Sequence, residues 1–220
     1  MKSIVTKVLA SALLLLAPLA VHAAVVETVN PATITNGYMN VFELPVNGGG
    51  WVFGSGWGVP DLCATWSGSN VTLSPNTIGD PNPFWYIGGG APGNPGNKIM
   101  EANLYAEPAG SVPGVTLTFV GNVISNTLAP SHTVIAFVKD FAPDFSSFNQ
   151  NTVALPPSGT FSVSLATVND PARHVQWGFQ TVGPCVWYTD VAAFGSVVVG
   201  PDAATPARST TWGRVKNLYR

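Results

Sequence analysis

Charged side chains are scarce in this chain of 220 residues: Asp, Glu, Lys and Arg together make up 9% of it, and its formal net charge is −2. A protein that binds nucleic acid through a broad surface needs a basic excess, so the composition excludes that class. Glycine and proline are abundant, with 23 and 19 residues, and both disfavour helix interiors. Long helices are therefore not expected, whereas a hydrophobic fraction of 46% is ample for a core.

Residues 1–23 have the pattern of a secretory signal peptide. Two lysines precede an apolar run, and the segment ends in the small residue Ala23. The run is short and is interrupted by Pro18, which argues against a membrane-spanning helix. We expect cleavage between Ala23 and Ala24, and a secreted, extracellular mature chain with no transmembrane segment.

Basic residues are few in the body of the mature chain and crowd its end. Residues 24–207 contain three basic and eleven acidic side chains, whereas residues 208–220 contain four basic side chains and no acidic one. The segment 201–211 is rich in Ala, Pro, Thr and Ser and is typical of a linker. Apolar residues then recur at helical spacing in 212–220. We expect a basic amphipathic tail that docks to a cell-surface or secretion component; the alternative is a frayed terminus.

The two cysteines of the mature chain are Cys63 and Cys185. An even number of cysteines in an oxidising compartment favours one disulfide. Two buried thiols are the alternative, because a sequence does not show whether the two Cα atoms approach within about 7 Å. No histidine lies at zinc-ligand spacing from either cysteine.

Apolar and polar residues alternate with a period of two through most of the mature chain, which indicates half-buried strands. The clearest runs are Val115 to Phe119, Phe161 to Leu165 and Val175 to Phe179. Less regular runs are Tyr38 to Leu44, Leu62 to Trp66, Val71 to Leu73, Ile99 to Glu107, Thr133 to Phe141 and Phe194 to Val199. Eight or nine short strands predict an all-β sandwich of two sheets over residues 24–200.

Several segments resemble a known fold family. The segments Asn36 to Glu43, His132 to Lys139 and Trp187 to Val191 resemble the first, central and final strands of galactose-binding-like jelly rolls, which include many carbohydrate-binding modules. The segments Asn97 to Asn103, Phe137 to Phe141 and Gln176 to Phe179 are similar to a group of exported bacterial proteins. The likeness covers most of Val26 to Val199. It implies an antiparallel jelly-roll sandwich and a polysaccharide or glycan partner.

One predicted strand carries a polar face suited to sugars. In Ile99 to Glu107, two glutamates, an asparagine and a tyrosine alternate with apolar residues. Aromatic rings pack on the C–H faces of sugars, and amide and carboxylate groups bond their hydroxyls. Other predicted strands could add further polar residues, His174 and Gln180 among them, although the sequence does not show which sheet each strand joins. The candidate ligand-binding residues on this face are Glu101, Asn103, Tyr105, Lys139 and Gln176; the alternative is a solvated outer face.

Trp85 and Tyr86 form a second candidate site. They follow a proline-rich turn and precede a glycine-rich loop, where an exposed aromatic can meet a ligand. Packing within the loop is the alternative. Trp177 alternates with polar neighbours and is expected in the core.

Catalytic signatures are weak. A glycosidase needs two carboxylates across a cleft, and the sequence pairs none. The mature chain has two histidines, His132 and His174, and no nucleophile elbow accompanies them. The glycine-rich stretch 88–96 lacks the lysine and the helix of a phosphate-binding loop.

The jelly-roll resemblance also implies a structural calcium ion between the first and last strands, with Glu43 and Asp190 as its ligands. Carboxylates and backbone carbonyls on loops are the oxygen donors that calcium prefers. The alternative is that both are ordinary surface or turn residues. The sequence as a whole predicts a secreted, non-catalytic protein similar to carbohydrate-binding modules. The alternative is a structural or assembly protein of the cell surface or extracellular matrix.

Overall fold

The computed structural model describes residues 23–108 and 112–202, and its regular structure there consists of strands and three short 3-10 helices. The strands are β1 (Ala23–Thr28), β2 (Asn36–Glu43), β3 (Trp51–Gly56), β4 (Ala64–Ser67), β5 (Asn70–Leu73), β6 (Lys98–Ala106), β7 (Val115–Asn126), β8 (Thr133–Phe141), β9 (Phe148–Ala154), β10 (Gly159–Ala166), β11 (His174–Pro184) and β12 (Val197–Gly200). The 3-10 helices are Pro45–Asn47, Val59–Leu62 and Val191–Phe194.

The strands form two six-stranded sheets. Sheet I contains β1, β4, β5, β7, β10 and β12, and Sheet II has the strand order β3-β2-β6-β11-β8-β9. All pairings are antiparallel except that of β1 with β7, which is parallel and places Ala23 opposite Val115. The predicted all-β, two-sheet jelly-roll sandwich is confirmed, with this one parallel pairing as an addition.

The long strand β7 organises Sheet I. Strand β10 pairs with residues 116–123 along one edge of β7. On the other edge, β1 pairs with residues 115–120 and β12 with residues 122–126. Because β12 also pairs with β5, it connects β7 to the hairpin of β4 and β5.

The core lies between the two sheets and is rich in aromatic contacts. The ring centroids of Phe119 and Phe161 in Sheet I and of Phe179 in Sheet II lie 5.4 to 5.9 Å apart in edge-to-face contacts. Trp177 is also fully buried, which confirms its expected core position. Since strand side chains alternate, the neighbours of these Sheet II residues point to the opposite face of the sheet.

The structure does not contain the predicted disulfide: Cys63 and Cys185 are free thiols there, which is the alternative left open by the sequence. The Sγ of Cys185 donates a hydrogen bond to Tyr86 Oη at 3.2 Å. Cys63 is half-buried at the end of the 3-10 helix Val59–Leu62, where it adopts a left-handed φ of 55°. Burial raises the pKa of both cysteines, which keeps the thiols protonated.

The predicted signal peptide (1–23), linker (201–211) and tail (212–220) lie almost entirely outside the described residues and stay predictions. At the C-terminal end of the described residues, the backbone N–H of Asp202 donates to Thr28 Oγ1 at 3.3 Å. In the part of the chain that the structure describes, no helix is long and apolar enough to cross a membrane.

Candidate functional site

A cleft of about 530 Å³ lies on the face of Sheet II that points away from the core. Strands β2, β6, β8 and β11 form its floor, and the segments that follow β6 and β8 contribute to its walls. The residues that line it are Tyr38, Asn40, Asn103, Tyr105, Glu107, Lys139, Phe141, Phe145 and Gln176.

Strand register brings these side chains together. Asn103 on β6 lies opposite Tyr38 on β2 and opposite Gln180 on β11. Gln176 on β11 lies opposite Lys139 on β8. Because facing residues of paired strands share one side of a sheet, four strands contribute to a single continuous surface.

Asn103 is the centre of one hydrogen-bond network in the cleft. Its Oδ1 accepts from Lys139 Nζ and from Gln180 Nε2, both at 3.0 Å. Its Nδ2 donates to Glu101 Oε1 at 3.3 Å, and that oxygen also accepts from Asn40 Nδ2 at 3.0 Å. These bonds hold the amide and the carboxylate in fixed orientations.

Glu107 is the centre of a second network. Its Oε2 accepts from Gln176 Nε2 at 2.6 Å, and its Oε1 lies 2.7 Å from His174 Nδ1. The imidazole of His174 stacks on the ring of Phe145 with centroids 4.1 Å apart. Phe145 has a left-handed φ of 58°, an uncommon conformation for a bulky residue, and its ring remains half exposed at the cleft wall.

Lys139 is a buried cation at this face, with only 8% of its surface exposed. Its Nζ lies 4.2 Å from the ring centroid of Phe137. Burial lowers the pKa of Lys139, and the nearby carboxylate of Glu101 acts in the opposite direction. The ion pairs among the described residues do not include Lys139, so no carboxylate lies within 4 Å of its ammonium there.

Aromatic rings supply the apolar part of the cleft. Tyr38 and Tyr105 stand on neighbouring strands, and Phe141 and Phe145 stand at the other end of the lining. Burial raises the pKa of Tyr105, and the nearby Glu107 and Tyr38 raise it further. Its phenol is therefore a neutral hydrogen-bonding group over the ordinary pH range.

The second candidate site, Trp85 and Tyr86, is not part of this cleft. Tyr86 is completely buried, and its Oη donates to Ile78 O at 2.6 Å and accepts from Ile78 N at 3.0 Å. The prediction that Tyr86 meets a ligand is therefore wrong: its hydroxyl serves the buried backbone. Trp85 is half-buried and packs edge-to-face against Phe53 and Phe84.

Glu43 and Asp190, the expected calcium ligands, already have protein partners. Glu43 Oε2 lies 3.0 Å from Lys98 Nζ. Asp190 Oδ2 accepts from the backbone N–H of Gly93 at 2.7 Å. The described residues contain no group of three or more His, Cys, Asp or Glu side chains that could hold a metal ion. As arranged, these donors do not form a metal cage, and calcium binding stays a prediction.

The structure brings Asn103, Tyr105, Lys139 and Gln176 into one cleft, with Glu101 bonded to its floor. The cleft is also lined by four residues that are not among the sequence-predicted candidates: Tyr38, Asn40, Phe141 and Phe145. For Tyr38 and Asn40 the signal was present, because they alternate with apolar residues in the same strand. No sequence pattern distinguishes Phe145, which lies in the loop after β8.

No protein-family model matches this chain, and no curated protein is significantly similar to it. Among solved structures, it is similar to the CBM22-2 xylan-binding domain from Paenibacillus barcinonensis Xyn10C. The identity is 9%, the match covers 63% of this chain and 88% of that chain, and the TM-score is 0.28. A TM-score this low does not establish a shared fold.

Proposed function

We propose that the protein is a secreted, non-catalytic glycan-binding protein and that the Sheet II cleft is its binding site. The observation that carries this proposal is the presence, in one cleft, of four aromatic rings beside amide and carboxylate groups. Sugar rings have apolar C–H faces that pack on aromatic side chains, and hydroxyls that pair with amides and carboxylates. Concave sites with few, fixed polar groups are typical of small-molecule and oligosaccharide binding.

The polar groups are held in place before any ligand arrives. Both oxygens of Glu107 and the Oδ1 of Asn103 are engaged by neighbouring side chains. A ligand therefore meets groups whose rotamers are already restricted, which lowers the entropic cost of binding.

The two glutamates at the cleft are too far apart to act as a glycosidase pair with each other. Glu101 and Glu107 stand six residues apart along one strand direction, which is about 20 Å at a rise of 3.3 Å per residue. Glycosidase carboxylates stand roughly 5 to 10 Å apart. Asp140 is completely buried against Arg173 and faces the core side of the sheet, so it is not available to the cleft.

A glycan array, followed by calorimetric titration of the best ligands, tests this proposal. Tyr105→Ala is expected to weaken binding about tenfold, because the ring contact with the sugar is lost. Tyr188→Ala is the matched control: Tyr188 is an exposed tyrosine that does not line the cleft, so its removal leaves the affinity unchanged.

The array also separates the two classes of function. If no glycan binds and the protein assembles as its concentration rises, the structural or matrix role replaces the binding role. Secretion rests on the predicted signal at residues 1–23, and docking by the tail rests on residues 212–220. Mass spectrometry of the mature N-terminus and a comparison of cell-surface retention with and without the tail test these two proposals.

A further inference from the structure

Two lysines of Sheet II are buried, and they differ in how their charge is compensated. Lys98 is 4% exposed, and its ammonium forms an ion pair with Glu43 at 3.0 Å. Lys139 is 8% exposed, and the hydrogen-bond acceptor of its ammonium is the neutral amide oxygen of Asn103. Burial of a charge without an ionic partner is costly, so Lys139 is the unusual one of the two.

Among the described residues, no carboxylate of the cleft forms an ion pair with Lys139; the charge of Glu101 acts on it from beyond 4 Å. Glu101 Oε1 accepts from Asn40 and Asn103, and both oxygens of Glu107 are engaged by His174 and Gln176. An ammonium group carries three N–H donors, and Asn103 takes one from Lys139. The ammonium of Lys139 is therefore a buried charged group with unused hydrogen-bonding capacity.

We propose that the cleft selects glycans that carry a carboxylate group, and that the ammonium of Lys139 binds this carboxylate. The inference rests on the proposed glycan-binding function and names its ligand class. The sugar carboxylate supplies the ionic partner that Lys139 lacks, while the tyrosine and phenylalanine rings contact the sugar ring. Charge-assisted hydrogen bonds of this kind are stronger than those that neutral hydroxyls offer to the same ammonium.

Acidic side chains that lie far from the cleft oppose the binding of an acidic glycan only weakly. Residues 24–207 contain eleven acidic and three basic side chains, so an acidic glycan approaches a surface of like charge. Such long-range repulsion is screened beyond about 8 Å at physiological ionic strength. The contact with Lys139 is direct and takes place in a desolvated setting, where screening is weak.

The test begins with an array of neutral, uronate-containing and sialylated glycans, which also identifies the source of the carboxylate. Each acidic oligosaccharide that binds is then titrated beside its carboxyl-reduced, neutral form. The acidic form is expected to bind about ten- to a hundredfold more tightly. Lys139→Met is expected to abolish this preference.

Lys139→Met is expected to fold normally, so a change in its ligand preference can be attributed to the lost ammonium. Asn103 Oδ1 keeps its bond from Gln180, and an unpaired buried charge is removed, so the melting temperature is expected to stay the same or rise. Lys139→Gln is a second variant if the first does not fold. Lys98→Met is the matched control: it removes the other buried ammonium and leaves the preference for acidic glycans intact.

The outcomes separate the two proposals. Equal affinity for the acidic and neutral forms overturns the carboxylate inference and leaves glycan binding standing. A preference that survives Lys139→Met overturns the role of Lys139. Binding to no glycan overturns both.

Discussion

Arg173 Nε lies 2.6 Å from Oδ1 of Asp140, a carboxylate that is completely buried on the core side of β8. The same guanidinium donates through Nη2 to the main-chain oxygen of Asp140 at 2.8 Å. The other carboxylate oxygen accepts from the backbone N–H of Val168 at 2.8 Å. These bonds fasten the segment before β11 to β8, immediately behind the cleft residue Lys139.

Removing only one partner of the Arg173–Asp140 ion pair is expected to destabilise the protein strongly. Arg173→Met leaves the carboxylate of Asp140 buried without a counterion, which typically costs about 3–5 kcal/mol in the free energy of unfolding. Urea unfolding of the wild type and of Arg173→Met measures this difference in the free energy of unfolding. Arg173→Met combined with Asp140→Leu removes both charges and is expected to recover much of the loss. A single variant within about 1 kcal/mol of the wild type would show that the pair is a surface-like contact.

His132 makes the stability depend on acid. It is 4% exposed, and burial lowers its pKa below 6.5, an effect that a hydrogen bond to the Pro184 carbonyl partly offsets. The unfolded chain therefore binds a proton more readily than the folded chain. The stabilisation is complete above pH 6.5 and declines as the pH falls below it.

Unfolding curves between pH 7.5 and pH 5 measure this loss, with pH values chosen to bracket the ordinary histidine pKa of about 6.5. His132→Gln is expected to flatten the decline, because glutamine does not titrate there. An equally steep decline in the variant would assign the acid sensitivity to other groups.

Gly178 occupies a position on β11 that admits no side chain. It lies opposite Tyr105 and Phe137, and a Cβ added to it would overlap the carbonyl oxygen of Leu104. We expect Gly178→Ala to lower stability by about 1–3 kcal/mol, as other overpacked substitutions do, and to weaken ligand binding by displacing Tyr105. Gly50→Ala is the control, because a Cβ there meets no atom within 4 Å. Equal effects of the two substitutions on urea unfolding would refute the packing argument.

The free thiols of Cys63 and Cys185 are expected to react with an alkylating reagent. Without reductant, the denatured protein is expected to incorporate two alkyl groups, one at Cys63 and one at Cys185, because neither is oxidised. In the native protein Cys63 reacts first, since Cys185 is 1% exposed. Mass spectrometry counts the adducts. A denatured protein that takes up none would point to a bridge.

Calcium binding by Glu43 has to compete with the ammonium of Lys98. If the predicted site exists, calcium raises the melting temperature by mass action, and Lys98→Met enlarges the increase by freeing the carboxylate. Glu43→Gln is expected to abolish the increase in melting temperature caused by calcium. Identical melting temperatures in chelator and in excess calcium, for both the wild type and Lys98→Met, would end the proposal.

The sequence predicted what depends on local alternation and missed what depends on distant contacts. The period of two in β6 was enough to place Glu101, Asn103 and Tyr105 on one face. Strand β9 escaped notice because its residues are polar or exposed on both sides and it is recognised only through its pairing with β8. The turn-rich sequence around Tyr86 is compatible with a buried side chain and with an exposed one, so it does not predict which of the two occurs. Its hydrogen bond with Cys185, 99 residues away, is the contact that accompanies its burial.

The arrangement around β7 has a consequence for how the chain folds. Its partners are β1 near residue 25, β10 near residue 160 and β12 near residue 198. Pairings between positions so far apart in sequence require large loops to close, and such topologies fold slowly. Strand β12, which ends at Gly200, connects β7 to β5. We therefore expect Sheet I to be completed only after nearly all of the described chain has been synthesised.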